Sequence, residues 1–556
     1  MAFNEKRLRS NPIEFSNLRD RRIGFVAAIA AISTLGFLMA AYATTIGPSI
    51  GSDGAAYVSV SRSLQAGRGP VVVQASGDFA VAAHHPPLYA MALAATTATG
   101  AGEVDAARWL NALLFGIVIF ICGTMVYSFS ASGWLGVAAA SLILVFPHLI
   151  AVSTGILSEP LLLVLGFGSV FLLARYLRDG GRKLLVLSAI LASLAFLARY
   201  AGAAFIGVGV IALIVLSTQS IRRRLSDLAL FLAISLAVPV AWLAWLQSRP
   251  TPLSPRRWIW DFADLWERSE PLRGAIVANS WEWIPFLDTI PGATYLWKVL
   301  LLIIVIGVGA GLFIFFAYRR YFALETRDQH RNSFLAIAIL LAISVVHIGL
   351  LTITFLFTIP SLDQADINNR LLLPVALSLL LAAVLIGNRI AAEWPHQKLL
   401  RLLPYGVVLL AIAWYLPSTV DTVKLLHDSA AGLASPTWSQ SETIAAVSSL
   451  PPEMKLISNE GTAIMLYLDR PTYNIPELMP GGQRAQSAPF GEGPAGEERI
   501  FREEGAALIL FNSVRQQLQT IYPGEGQLRS EVITKGLTPY AELSDGTIYL
   551  YPVEKP

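Results

Sequence analysis

The chain has 556 residues, 54% of them hydrophobic and only 14% charged, with a net charge of +3 and a mean hydropathy of +0.57. Soluble domains carry about 25% charged residues, so a wholly water-soluble protein is excluded and most of the chain belongs in lipid. The single cysteine, Cys122, excludes an intrachain disulfide and a metal site built from cysteines.

A basic stretch containing Arg19, Arg21 and Arg22 leads into the first apolar run, Ile23 to Ile46. Ala41-Tyr42-Ala43 has the look of a signal-peptidase site, but a cleaved signal has an apolar core of only about 7–15 residues. The longer run reads as an uncleaved anchor. Crossing ~30 Å of hydrocarbon takes about 20 apolar residues. Further runs of that kind fall near 105–128, 134–152, 158–176, 183–199, 202–218, 226–247, 295–318, 333–358, 371–391 and 402–420. The expectation is about 11 transmembrane segments. They are helices, because backbone groups in lipid must be paired within the segment. Two connections, 47–104 and 248–294, far exceed the usual length of about 4–6 residues.

From about residue 421 the hydropathy falls and soluble patterning begins. Ser441–Leu450 reads as a helix, Met454–Ser458, Ala507–Phe511 and Thr547–Val553 as strands, and Pro480–Gly496 as a Gly/Pro-rich loop. The expected organisation is an N-terminal segment, 1–22, a membrane domain, 23–420, and a small α/β domain, 421–556. No internal repeat or low-complexity tract interrupts it.

Basic residues orient the spans, since cytoplasmic loops are enriched in Lys and Arg. One side of the alternation collects the N-terminal arginines, then Arg178, Arg182 and Lys183, then Arg222, Arg223 and Arg224, then Arg319, Arg320, Arg327 and Arg331, then Lys398 and Arg401. That side is read as cytoplasmic. The arginines of 248–294 are offset by acids such as Asp261, Asp264, Glu267 and Glu282. An odd number of spans then puts the C-terminal domain outside the cell membrane.

Ionisable residues near spans are functional candidates, because placing them in lipid costs at least about 2.5–3.5 kcal/mol. Here Asp53, His84, His85, Glu159, Arg199, Asp363, Asp366 and Arg370 all fall at outer span ends or in outer loops. This shared sidedness implies one outward-facing polar cavity. Asp53 sits at the start of an expected helix, Gly54–Ala66. It reads either as an N-cap or as a carboxylate kept ionised by the positive helix end and able to accept a substrate proton. Tyr57 is either interface belt or substrate contact. His84-His85-Pro86-Pro87 should open another helix, Pro being tolerated in a first turn, with one histidine available to an anionic head group. Glu159, in Ser158-Glu159-Pro160, suits a helix start. Arg199 lies between abutting apolar runs with no basic cluster around it, and Arg370 follows Asn368-Asn369. Both fit bidentate phosphate recognition. A divalent metal is left open but is not supported by any ligand spacing.

Taken together, Ser52-Asp53-Gly54 with Tyr57, His85-Pro86-Pro87-Leu88-Tyr89, Ser158-Glu159-Pro160, Arg199-Tyr200 and Arg370-Leu371-Leu372-Leu373-Pro374 resemble the GT-C superfamily of integral-membrane glycosyltransferases. The branches most alike are the protein O-mannosyltransferase and lipid A aminoarabinose transferase types. The resemblance implies a GT-C-like membrane domain with an extracytoplasmic C-terminal domain, a polyprenyl-phosphate-linked sugar as donor, and a glycan, lipid or protein hydroxyl as acceptor. It places Asp53 as the catalytic base and Tyr57, His84, His85, Glu159, Arg199, Tyr200 and Arg370 on the substrates. The family often shows two acids in the first loop, whereas here Gly54 follows Asp53. A sugar on a lipid phosphate already carries a good leaving group, so one base and a set of cations suffice. A glycosidase instead needs a second carboxylate to protonate the departing oxygen. The rival reading is a transporter or flippase of lipid-linked sugars, a class marked by inverted repeats and mid-membrane broken helices.

Overall fold

The computed structural model describes residues 12–73, 79–249, 257–283, 328–359, 368–393, 396, 398–475, 478 and 496–550. The expected span 295–318, the loop 480–496 apart from its last residue, and Asp363 and Asp366 lie outside them.

The membrane region is built from α1 (Pro12–Ala43), α4 (Glu103–Ser130), the pair α5 (Gly133–Leu144) and α6 (Pro147–Ser153), α7 (Glu159–Asp179), α8 (Arg182–Ala198), α9 (Ala203–Ile211), α10 (Ile221–Gln247), α12 (Asp328–Phe357), α13 (Asn369–Glu393) and α14 (Lys398–Ser429). On one face lie α2 (Ser52–Gln65), the two-stranded β1 (Val71–Val73) and β2 (Phe79–Val81), α3 (Leu88–Thr97), and α11 (Glu270–Trp281). The short strands β3 (Arg257–Trp258) and β4 (Thr358–Ile359) pair antiparallel.

Among the described residues seven helices are long and apolar enough to cross a bilayer unaided, and α5–α6 makes an eighth if the bent pair is one span. The sequence estimate of about 11 therefore divides differently. The run 134–152 is broken by a 61° bend where Pro147 enters the first turn of α6, proline having no N–H to continue the ladder. The run 183–199 becomes α8, only 17 residues long. The run 202–218 is the shorter apolar helix Tyr200–Leu216.

The helices pack through small residues. A Cβ on Gly136 would come within 2.7 Å of the Tyr127 Cβ and 3.0 Å of the Gly123 carbonyl, so the two glycines let α4 and α5 approach as membrane helices with small interfacial residues do. Large apolar side chains such as Leu35, Val240 and Leu410 remain exposed, as lipid-facing groups should. On the basic face Asp227 is buried and fully paired. Arg182 and Arg223 reach its two oxygens at 3.1 and 2.9 Å, tying α8 to α10.

α14 runs on to Ser429, past the expected boundary at 421. A five-stranded sheet follows, built from β5 (Leu456–Ser458), β6 (Thr472–Asn474), β7 (Ala507–Phe511), β8 (Pro539–Glu542) and β9 (Gly546–Leu550) in the order β6-β5-β7-β9-β8. β5 is parallel to β6 and β7, with Leu456 opposite Thr472 and Ala507. β9 is antiparallel to β7 and β8. The expected helix near 441–450 spans Glu442–Ser448.

Residues 49–50 stitch these parts together. Ser49 forms a parallel bridge with Gly155 and Ile50 another with Gly432. The Leu433 N–H donates to the Ile50 carbonyl at 2.8 Å. Gly432 has φ +61, and a Cβ there would sit 2.2 Å from the Ile50 oxygen, so this position needs glycine. Arg62 of α2 donates to the Leu466 carbonyl at 3.0 Å. One hydrophobic cluster includes Tyr57 and Tyr89 from the membrane-face helices and Ile444 and Phe511 from the sheet domain. The sheet domain is thereby fixed to the face that carries α2.

Candidate active site

The bridge between Ser49 and Gly155 sets the register of the site. Four residues beyond each partner come Asp53 and Glu159, and each lies in the first turn of a helix, α2 and α7. The partial positive charge of a helix N-terminus favours a carboxylate at both places. Asn111, buried in α4, holds the turn by donating to the Gly155 and Leu157 carbonyls, the latter at 3.2 Å.

Asp53 is not the N-cap. α2 begins at Ser52 after Gly51, which makes no side-chain cap, so the carboxylate is free to turn away from its own backbone. Its Oδ1 lies 3.4 Å from His85 Nε2, and its Oδ2 accepts from Arg370 Nη2. Arg370 is the second residue of α13, where a cation meets the wrong end of the helix dipole and is held by carboxylates instead. Its Nε donates to Glu159 Oε1. Arg199, the residue that ends α8 in an extended conformation, places Nη1 2.7 Å from the same Glu159 oxygen. That contact is an ion pair without hydrogen-bond alignment. Arg199 Nη1 and Glu159 Oε2 are both buried with no hydrogen-bond partner. Buried polar atoms are nearly always satisfied, so these two mark places where a polar ligand atom would be gained.

Four charges, two of each sign, thus converge from α2, α7, α8 and α13. Their burial is graded: the side chain of Glu159 is 3% exposed, that of Arg199 16%, and those of Asp53 and Arg370 24% and 25%. Burial pushes the Asp53 carboxyl up, but the hydrogen bond from His85 and the charge of Arg370 outweigh it and hold the acid well below the usual carboxylate range. Burial pushes the Tyr57 phenol up, so it stays protonated. Its hydroxyl pairs with Ser158 Oγ at 2.8 Å.

A cavity of about 290 Å³ opens beside the cluster, lined by Ser52, Asp53, Tyr57, Val72, His84 and His85 among others. Ligand pockets run from about 300 Å³ upwards, so this one suits a head group and not a long isoprenoid tail. A second cavity of about 900 Å³ is lined by His148, Glu282, Trp414, Tyr415, Asp421 and others. Its wall residue Glu282 accepts from Asn369 at 2.6 Å, next to Arg370.

Of the sequence-derived candidates, Asp53, His85, Glu159, Arg199 and Arg370 meet directly. His84 is exposed and stacks edge-on against His85, ring centroids 4.6 Å apart. The two histidines precede their helix, which begins at Leu88 with Pro87 as its cap, because two prolines in succession delay the helical turn. Tyr57 is buried in the core and is not interface belt. Its ring lies 4.8 Å from that of His85. Tyr200 stands apart from the cluster: its hydroxyl donates to the Ala83 carbonyl at 2.9 Å and accepts from Trp242 at 3.2 Å. It supports the histidine loop from behind. Asn111 and Asn369 were not singled out from sequence, although an asparagine inside an apolar run is the signal that could have raised Asn111.

The donor set does not fit a divalent cation. The guanidinium of Arg370 occupies the space between the Asp53 and Glu159 carboxylates and would have to leave. Among the described residues no three or more His, Cys, Asp or Glu side chains are grouped to hold a metal.

No protein-family model matches the chain, and no curated protein matches it. Solved structures do. The Archaeoglobus fulgidus oligosaccharyltransferase, in complex with Zn and sulfate, superposes with a TM-score of 0.50 at 13% identity, covering 94% of this chain and 74% of that one. ArnT from Cupriavidus metallidurans bound to undecaprenyl phosphate gives 0.48 at 15% identity, over 96% and 98% of the two chains. The Saccharomyces cerevisiae Pmt1-Pmt2 complex bound to its sugar donor gives 0.33 at 16% identity, over 39% and 32%. The oligosaccharyltransferase likeness is one of fold, and the helices long and apolar enough to cross a bilayer make this a multi-span membrane protein.

Proposed function

We propose that this chain is an inverting glycosyltransferase that moves a sugar from a polyprenyl-phosphate donor to an acceptor hydroxyl on the outer membrane face. The observation that carries the reading is the cluster itself: a cavity-lining carboxylate paired with Arg370 and His85, with Glu159 joining Arg370 to Arg199. Asp53 accepts the proton of the acceptor hydroxyl. The acceptor oxygen attacks the anomeric carbon, the bond from that carbon to the phosphate oxygen breaks, and polyprenyl phosphate departs. Arg370, Arg199 and His85 stabilise the charge that gathers on the leaving phosphate. Single displacement inverts the anomeric centre, and the leaving group needs no proton.

The head group occupies the cavity beside Asp53 while the prenyl tail remains in lipid. The acceptor, a glycan, lipid or protein hydroxyl, approaches beneath the C-terminal domain, which on this reading is extracytoplasmic while the N-terminus is cytoplasmic. The cluster lies at helix ends, away from the mid-membrane position typical of transporter sites, which favours transfer over flipping.

The test is sugar transfer in reconstituted vesicles. Asp53→Asn is expected to lower the rate by about 10²–10⁴, the range of a lost general base, with the folded protein intact. Full activity in that variant would remove Asp53 as the base. Movement of the donor across the bilayer without transfer would establish the flippase instead.

A further inference from the structure

We propose that Arg370 is a two-position clamp: a donor phosphate takes its outer nitrogen away from Asp53, so that the base is released only when the donor is bound. This rests on the phosphate-linked donor read above.

The two nitrogens of Arg370 have unequal partners. Nε is held by Glu159, whose side chain is 3% exposed and fixed at the start of α7. Nη2 is held by Asp53, 24% exposed and on the wall of the cavity. Of the two acids that hold Arg370, Asp53 lines that cavity and Glu159 is the more deeply buried. Partly exposed ion pairs exchange at little cost, whereas removing a partner from a buried pair is expensive. Nε therefore acts as a pivot and Nη2 as the moving end.

Charge balance favours the exchange. Asp53 and Glu159 already neutralise Arg199 and Arg370 within the cluster. A phosphodiester anion brought beside them competes with the carboxylates for a cation, and Asp53, the more exposed of the two, is the partner that can yield. Both its oxygens are engaged, Oδ2 by Arg370 and Oδ1 by His85, which weakens it as a base. Loss of the Arg370 charge restores its affinity for a proton. The remaining neighbours, Tyr57 on its own helix, Glu159 on α7 and Arg199 after α8, stay in place. Donor binding and base activation are then one event, and the acceptor reacts second.

The experiment measures binding of farnesyl phosphate, with farnesol and inorganic phosphate as controls, to the full chain in detergent. If Asp53 competes for Arg370, Asp53→Asn binds farnesyl phosphate more tightly, on the order of fivefold, and farnesol binding does not move. In an Arg370→Lys background, where one ammonium cannot span both carboxylates, the gain disappears. Unchanged or weaker binding by Asp53→Asn, with wild type binding normally, overturns the clamp and leaves the donor assignment standing. A gain that persists in Arg370→Lys also overturns it. A gain seen for inorganic phosphate alone overturns the lipid donor as the releasing ligand. Failure of wild type to bind farnesyl phosphate overturns the donor reading and the clamp with it.

Discussion

Glu159→Gln tests whether the innermost carboxylate is the electrostatic keystone of the site. Glutamine keeps the shape and keeps an oxygen for Arg370 Nε, and Arg370 retains Asp53. The loss falls on Arg199, whose acid partner in the cluster is the Glu159 oxygen at 2.7 Å. Stripping one partner from a buried pair costs about 3–5 kcal/mol. Because Arg199 is 16% exposed, water screens part of the stranded charge, and about 2–3 kcal/mol is expected. Reversible unfolding in mixed micelles reads the difference. The cycle with Arg199→Met isolates the pair: the double variant should be more stable than additivity predicts by at least about 1 kcal/mol, since contacting residues couple on that scale. A Glu159→Gln protein within about 0.5 kcal/mol of wild type, or strict additivity in the cycle, would refute the keystone role.

Asp53 also makes a pH prediction. Its folded pKa is depressed, so its stabilising contribution is fully present above the unfolded value of about 3.9 and is lost as the pH falls towards the folded value. The stability gap between wild type and Asp53→Asn should be flat from pH 7 to 5 and shrink below about pH 4. A gap that widens on acidification contradicts the pairing. Gly432→Ala forces a side chain into positive φ and against the Ile50 carbonyl, which costs on the order of 1–3 kcal/mol. The sheet domain should become more sensitive to protease, and unaltered cleavage kinetics would show that the seam at residue 50 is not what holds it. Leu528 is 63% exposed in the sheet domain, while Cys122 is buried and gives little background. Leu528→Cys in intact cells should react with an impermeant maleimide from outside, and reaction from the cytoplasmic side alone would reverse the proposed orientation.

Much of the site was readable before any fold was known, because a charge in an apolar chain is conspicuous. Asp53, Glu159, Arg199 and Arg370 stood out at span ends, since lipid penalises charges elsewhere. Their partners were not readable. Arg370 joins Asp53 and Glu159 across 317 and 211 residues, and no local pattern encodes a contact at that separation. Tyr200 shows the converse: adjacent to Arg199 in sequence, it points to Ala83 and Trp242 because the chain turns there into a 3-10 segment.

The amino-acid sequence by itself determined that this chain crosses a membrane repeatedly, that Asp53, Glu159, Arg199 and Arg370 fall at the ends of apolar runs, and that an α/β segment follows the spans. Hydrophobic transfer and charge exclusion act residue by residue, so composition and periodicity carry them. Only the tertiary structure decided which carboxylate meets which arginine, that proline bends α5 into α6, and that Ser49 and Ile50 join the membrane helices to the sheet domain. Those outcomes depend on packing and on backbone hydrogen bonds between distant segments, which exist only once the chain has closed on itself.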